Sequence, residues 1–344
     1  MVYLHYFVTG HTGFKGAWLV SLLRHRGHEV SGFALDPEPG SLFEVGNLAE
    51  LMRLDVRADI RDAAAVASAI GGAAPDVVIH MAAQPLVRES YLDPRYTMET
   101  NVNGTLNVLE AVGKTPSVQA HLVVTTDKVY RNVNQIAGYT EDDPLGGSDP
   151  YSASKAMADL LVQSWVQSFD GPPTAIARAG NVIGGGDVCK DRLLPDLMRA
   201  FAQGTKASIR YPESTRPWQH VLDCLNGYLC LVDHLLASST NAGAWNFGPQ
   251  HANFASVSQV CSRVAELWGG DAEIQIDSGN HLHEAALLTL NSNKAREQLD
   301  WSEKLDLDQT LSWTVAWTKE FNSGASAAQI THEQIRRFET NNLS

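Results

Sequence analysis

Phe7-Val8-Thr9-Gly10-His11-Thr12-Gly13-Phe14-Lys15-Gly16 is the stretch on which the fold turns. The residues before it, from Tyr3, are mostly apolar and read as a buried strand. The residues after it, Phe14–Arg26, read as a helix. Gly10, Gly13 and Gly16 therefore sit at a strand-to-helix turn with GxxGxxG spacing. Glycine permits the tight turn and lets backbone N–H groups at the helix start approach a pyrophosphate. The last glycine lets helix and sheet pack closely. The position after a strand is the context that gives three glycines this meaning. Asp36 stands 20 residues past Gly16, at the end of the strand-like run His28–Leu35. A carboxylate there accepts from both ribose hydroxyls and repels a 2′-phosphate, which favours NAD over NADP. The expected cofactor contacts are Gly10, Thr12, Gly13, Phe14, Gly16 and Asp36. Asp59 and Ile60 would border the adenine.

Outward from the turn, strand-like and helix-like segments alternate. Leu51–Asp55, Asp76–Met81, Ala120–Thr126 and Thr174–Ala179 read as strands; Ala63–Ile70, Tyr96–Val112 and Tyr151–Ser168 read as helices. Near-continuous apolar strands separated by helices predict an α/β, doubly wound parallel sheet of Rossmann type. Residues 1–179 are expected to form this NAD-binding domain, with a return segment near 218–250. Residues 180–344, opened by Gly184-Gly185-Gly186, are expected to be mostly a smaller C-terminal substrate-binding lobe. The polar tail after Ser323 reads as loosely held.

Composition narrows the function classes. The 344 residues carry a net charge of −13, which argues against nucleic acid as a partner. Four scattered cysteines, Cys189, Cys224, Cys230 and Cys261, lack CxxC spacing and fit a reducing cytoplasm. No apolar run approaches the roughly 20 residues of a membrane helix. His281-Leu282-His283-Glu284 lacks the helical HExxH spacing, so no metal site is expected.

Tyr151-Ser152-Ala153-Ser154-Lys155 carries the chemistry. Residues four apart share a helix face, so Tyr151 and Lys155 point the same way. A nearby ammonium and a positive nicotinamide ring are expected to lower the phenol pKa, making Tyr151 a base for a substrate hydroxyl. Lys155 would also hold the nicotinamide ribose. Thr126, ending its strand, would donate to a developing ketone oxygen. YxxxK alone is common by chance; downstream of a glycine turn and Thr126 it is not.

These motifs resemble the extended short-chain dehydrogenase/reductase family that acts on nucleotide sugars, and within it the CDP-sugar branch of the 4,6-dehydratases. The resemblance runs from about Phe7 to Trp301. Its strongest stretches are Val8–Gly16, His80–Ser90, Asp143–Lys155, Ala177–Asp187 and Arg216–Val221. It implies C4 oxidation, loss of water across C5 and C6, and hydride return to C6. It makes Asp127 the acid for the departing C6 hydroxyl. Lys128, which stands where dTDP- and GDP-sugar enzymes carry Glu, would assist C5 deprotonation. Ala82 and Ala83 would leave room for the nicotinamide, while His80 reads as a core histidine. Gln84, Arg88, Asn101, Asn181, Arg192 and Arg216 become the substrate-site candidates, Arg216 foremost for the diphosphate. Val188, Tyr211 and Asn291 depart from the branch pattern and leave the exact sugar open. The resemblance also implies a homodimer built through Tyr96–Val112 and Tyr151–Ser168. An epimerase or a dehydratase for another NDP-hexose is the alternative. A non-catalytic NAD-binding protein would be expected to have lost Tyr151 or Lys155.

Overall fold

The computed structural model describes residues 3–237, 243–250, 254–270, 272–279 and 287–343. At its centre is a seven-stranded sheet, parallel throughout. It contains β1 (His5–Thr9), β2 (Glu29–Ala34), β3 (Leu54–Arg57), β4 (Val77–His80), β5 (Ala120–Val124) and β6 (Thr174–Ala179), completed by the Gly243–Phe247 strand. The spatial order is Gly243–Phe247, β6, β5, β4, β1, β2, β3. From β1 the chain first winds outward through β2 and β3, then returns to the other side at β4. That reversal opens a crevice beyond the carboxyl ends of β1 and β4, where ligands bind in sheets of this kind. β1, β4, β5 and β6 are buried along their whole length, which explains their apolar, non-alternating sequences.

Helix α1 (Phe14–His25) buries Trp18, Leu19, Leu22 and Leu23 against the sheet. Its N-terminus has no side-chain cap and no acidic residue in the first turn. The unpaired N–H groups there face the crevice as a positive end. A second, smaller core gathers Leu194, Leu197, Met198, Phe201, Val260, Cys261, Val264, Leu311 and Val315. Yet the segment after residue 180 also feeds the main core, through the Val221–Ala237 helix, Trp301, Trp317 and Phe338.

Three local expectations need correction. The third strand is Leu54–Arg57, because Leu48–Leu51 forms a 3₁₀ turn before it. The helix expected over Tyr96–Val112 runs as Pro94–Met98, a π turn at Glu99–Asn103, then Gly104–Gly113. The tail is a firm helix, Ala327–Glu339, burying Ala327, Ile330, Ile335 and Phe338 on one face. Ile330, Ile335 and Phe338 each contribute about 1.5–3 kcal/mol by their burial.

Candidate active site

The crevice holds a cavity of about 240 Å³. Its floor is the glycine turn, Gly10 to Gly16, and its walls include Asp59, Ile60, Met81, Ala82, Ala83 and Arg192. Gly10 has φ +75° and a Cβ there would lie 2.8 Å from the Ala82 nitrogen. A Cβ on Gly16 would meet the Gly10 carbonyl at 2.2 Å. Backbone thus approaches backbone more closely than any side chain allows, and the bare turn exposes N–H groups to the cavity. This cradle, at the open end of α1, fits a dinucleotide pyrophosphate. Thr12 Oγ1 donates to Leu35 O (3.0 Å) and braces the loop. Asp59 pairs with Arg61 (2.7 Å), whose guanidinium lies over Tyr96 (4.7 Å). Asp36 is exposed at the rim, next to Leu35, which does line the cavity.

His80 is buried between Thr9 (2.7 Å) and Thr105 (3.0 Å), a core histidine as expected. Gln84 is also buried, but its side chain is spent on the loop: it donates to Leu86 O and Thr97 and accepts from Leu86 N. Both of its amide N–H groups are thereby engaged. Asn101 accepts from Gln84 N (2.8 Å) and donates to Ser154 (2.8 Å), so it ties the loop to the Tyr151 helix. It lies in the π turn, whose extra residue turns it inward.

The Pro150–Ser168 helix starts with Pro150 at its first position and Asp149 as N-cap, accepting from Ser152 N (2.9 Å). The cap fixes the turn that carries Tyr151, whose own N–H donates to Ser90 Oγ (3.1 Å). One turn on, Lys155 is buried and donates to Val124 O (2.9 Å), the last residue of β5. Two residues further along that strand end, Thr126 lies close enough to lower the pKa of the Tyr151 hydroxyl and donates to Asp127 Oδ1 (2.9 Å). Thr126 and Asp127 both act on the Tyr151 hydroxyl electrostatically. Asn181 Nδ2 reaches the other Asp127 oxygen (3.4 Å). Lys128, half-buried, forms no ion pair among the described residues.

Burial pushes the Tyr151 phenol up to about 12; the Thr126 hydrogen bond and Arg192 oppose this, and Asp127 adds to it. Burial, with repulsion from Lys15, brings Lys155 down to about 8. The Lys155 ammonium is engaged by a carbonyl, and the desolvation of the phenol dominates. Within the chain, burial outweighs the Thr126 and Arg192 contributions that lower the Tyr151 pKa.

Among the phosphate candidates, Arg192 lines the cavity and pairs with Asp187 (2.9 Å). Arg88 pairs with Asp191 (2.9 Å) on the surface. Arg216 is buried in the short Thr215–Pro217 strand, donating to Thr215 O (2.9 Å), and is not part of the cavity wall. The sequence reading passed over Lys15. It lines the cavity and donates to the Tyr228 hydroxyl (3.1 Å), and its charge reaches Lys155. Its signal was a lysine in the otherwise uncharged first turn of α1. His281–Glu284 lies outside the described residues, among which no cluster suited to a metal occurs. No described helix is long and apolar enough to cross a membrane.

Comparison with known proteins agrees with this geometry. The model of the NAD dependent epimerase/dehydratase family matches residues 6–248. The chain is 44% identical over 339 residues to a CDP-glucose 4,6-dehydratase of Salmonella typhimurium, covering 96% of this chain and 94% of that one. It is 30% identical to a dTDP-glucose 4,6-dehydratase of Mycolicibacterium smegmatis, over 90% and 92% of the two chains. The fold matches DesIV, a dTDP-glucose 4,6-dehydratase from Streptomyces venezuelae solved with NAD and TYD, with TM-score 0.80 and 24% identity over 93% and 98%. A glycine cradle at a sheet crevice, a Tyr–Lys pair on one helix face and a family match over most of the chain lead to one conclusion: this protein belongs to the NAD-dependent epimerase/dehydratase family.

Proposed function

We propose that the chain is a nucleotide-sugar 4,6-dehydratase that converts CDP-D-glucose to CDP-4-keto-6-deoxy-D-glucose. One observation carries the reading beyond the family: Asp127 and Lys128 directly follow Thr126, with Asp127 buried, hydrogen-bonded to Thr126 and acting on the Tyr151 phenol electrostatically. A simple epimerase needs Thr126, Tyr151 and Lys155 and has no task for an added acid and base. The similarity to the Salmonella enzyme over nearly the whole chain supports the CDP-sugar branch.

Bound NAD supplies the hydride acceptor and donor, and its positive ring supplies charge favouring the Tyr151 phenolate. Tyr151 takes the C4 hydroxyl proton, and Thr126 donates to the developing carbonyl oxygen. Lys155 would hold the nicotinamide ribose, and Arg192 is the cation that favours the Tyr151 phenolate. The C4 ketone acidifies the C5 hydrogen, which Lys128 helps remove. Asp127 protonates the departing C6 hydroxyl. Asn101 positions the Tyr151 helix, and Asn181 orients Asp127. Arg192, with Arg88 and Arg216 on flanking elements, would serve the diphosphate, and Asp36 the adenine ribose. Residues from 180 onward, centred on the second core, would form the substrate lobe.

We further propose a cytoplasmic homodimer. Tyr91, Leu92, Met157 and Leu160 are exposed on the Val87–Leu92 and Pro150–Ser168 helices, an apolar surface suited to a second copy. A panel of CDP-, dTDP-, UDP- and GDP-hexoses with products read by mass tests the function. Loss of water from CDP-glucose is expected. An unchanged mass with an inverted C4 centre would make the chain an epimerase.

A further inference from the structure

The chemistry above takes only Arg216 from the Arg216–Val221 stretch, and Arg216 lies off the cavity wall. Another residue of that stretch, Gln219, bonds to the backbone beside the reacting groups. It opens the short Gln219–His220 strand, which pairs in parallel with Val182–Ile183. It is 2% exposed and is not itself part of the cavity wall. Its side-chain amide donates to two backbone carbonyls, Phe247 O (2.8 Å) and Gly180 O (3.3 Å). Both partners are acceptors, so the amide nitrogen must face them, and its two N–H groups are used in full. Its backbone N–H donates to Asn181 O (3.3 Å). One residue thus bonds both carbonyls of the Gly180–Asn181 turn and ties that turn to the end of the neighbouring Gly243–Phe247 strand. Trp218 and His220 on either side are buried, and Trp218 Nε1 donates to Ala255 O (3.1 Å), which fixes the segment that presents Gln219.

Asp127 rests against the two residues that Gln219 holds. A Cβ on Gly180 would lie 2.0 Å from Asp127 Oδ2, so the carboxylate packs directly on the Gly180 backbone. Asn181 Nδ2 stands 3.4 Å from the same oxygen. Asn181 has φ +49°, in the left-handed region, which a residue with a side chain keeps only where its surroundings hold it there. The bond from the Gln219 backbone to Asn181 O is part of that support. The position of Asp127 is therefore set by a turn whose own position is set by Gln219.

We propose that Gln219 is a positioning residue for the elimination step: by fixing Gly180 and Asn181 it holds Asp127 where its proton reaches the departing C6 hydroxyl. The inference rests on the assignment of Asp127 as that acid. Oxidation at C4 uses Tyr151 and Thr126, and Gln219 bonds to neither. Loss of the Gln219 amide therefore separates the two steps. The O4 proton still passes to Tyr151 as C4 is oxidised. Cleavage of the C6–O bond, in which the C5 proton leaves and Asp127 gives its proton to form water, becomes slow. The 4-keto sugar that still carries its C6 hydroxyl then accumulates alongside reduced cofactor.

The test mixes the full chain, loaded with NAD, with a substoichiometric amount of CDP-D-glucose. It follows the near-ultraviolet absorbance of reduced cofactor and the loss of water by mass; circular dichroism checks that each variant is folded. The wild-type chain should release water with little reduced cofactor standing. Gln219→Met should bind NAD as the wild type does, slow water loss about ten- to a hundredfold and raise the level of reduced cofactor several times. Gln219→Glu keeps the shape of the side chain but donates at most one of the two bonds, so it should move both readouts the same way. Asp127→Asn, which has no proton to give, should do so too. Gln334→Met makes the same substitution at a buried glutamine between the last two helices, and should leave both readouts at the wild-type level. Wild-type water loss in folded Gln219→Met would overturn the proposal. So would slow water loss without reduced cofactor, equal accumulation in Gln334→Met, or failure of both Gln219 variants to fold. Wild-type water loss in Asp127→Asn would remove Asp127 as the acid and the proposal with it. Wild-type water loss in the Gln219 variants alone would overturn the proposal and leave Asp127 in its role.

Discussion

Lys155→Met should make the cofactor-free chain more stable while destroying its activity. Lys155 is buried, and its pKa falls from the ordinary 10.5 to about 8. That displacement corresponds to roughly 3 kcal/mol of destabilisation at pH 7, where the folded chain must hold a desolvated charge. Against this, the wild-type ammonium donates to Val124 O, and losing that bond costs about 1 kcal/mol. Methionine fills a similar volume without the charge. The net expectation is a gain of about 2 kcal/mol at pH 7. Because the folded pKa lies below the unfolded one, the unfolded chain binds more protons between about pH 8 and 10.5, and wild-type stability rises across that window. At pH 9.5 the wild-type penalty shrinks to about 1.4 kcal/mol, so the advantage of the variant should nearly vanish. Urea unfolding followed by circular dichroism at both pH values measures this directly. A variant less stable than wild type at pH 7, or an advantage equal at both pH values, would refute the buried-cation reasoning. Retained turnover in Lys155→Met would separately remove Lys155 from the chemistry.

Tyr151→Phe removes one hydroxyl from the site and should abolish turnover while NAD still binds; equilibrium dialysis with NAD and a product assay separate the two. Lys128→Ala should slow exchange of the C5 hydrogen with deuterated solvent and lower turnover by about 10²–10⁴, and a wild-type exchange rate would end its assignment as base. Gly180→Ala puts a methyl 2.0 Å from Asp127 Oδ2, so Asp127 must move. Turnover should fall about a hundredfold with NAD affinity unchanged, and near-wild-type kinetics would show that the position of Asp127 is not critical.

Much of the frame was readable because its signals are local. The glycine turn, the buried strands and the Tyr151–Lys155 spacing depend on neighbours a few residues apart, and the sheet places them at one crevice. What the sequence hid depends on tertiary partners or on a single residue of register. The π turn at Glu99–Asn103 adds one residue to a helix whose apolar period otherwise continues, so periodicity passes over it. The last helix looked loose because its composition is polar, yet Ala327, Ile330, Ile335 and Phe338 recur on one face. Gln84 has the right chemistry for a sugar contact, but its amide closes its own loop. Tyr151 was expected to be acidified by Lys155 and the nicotinamide ring together. The depth at which the phenol is buried, and the carbonyl that occupies the ammonium, are set by β5 and were invisible in the pentapeptide.

The most direct test of the mechanism follows one hydrogen. CDP-D-glucose carrying deuterium at C4 is turned over by the purified protein with NAD, and the product is analysed by mass and proton NMR. The account predicts a 4-keto-6-deoxy sugar with the deuterium on C6 and no net formation of NADH. Deuterium retained at C4, lost to solvent, or accumulated as reduced cofactor would contradict it.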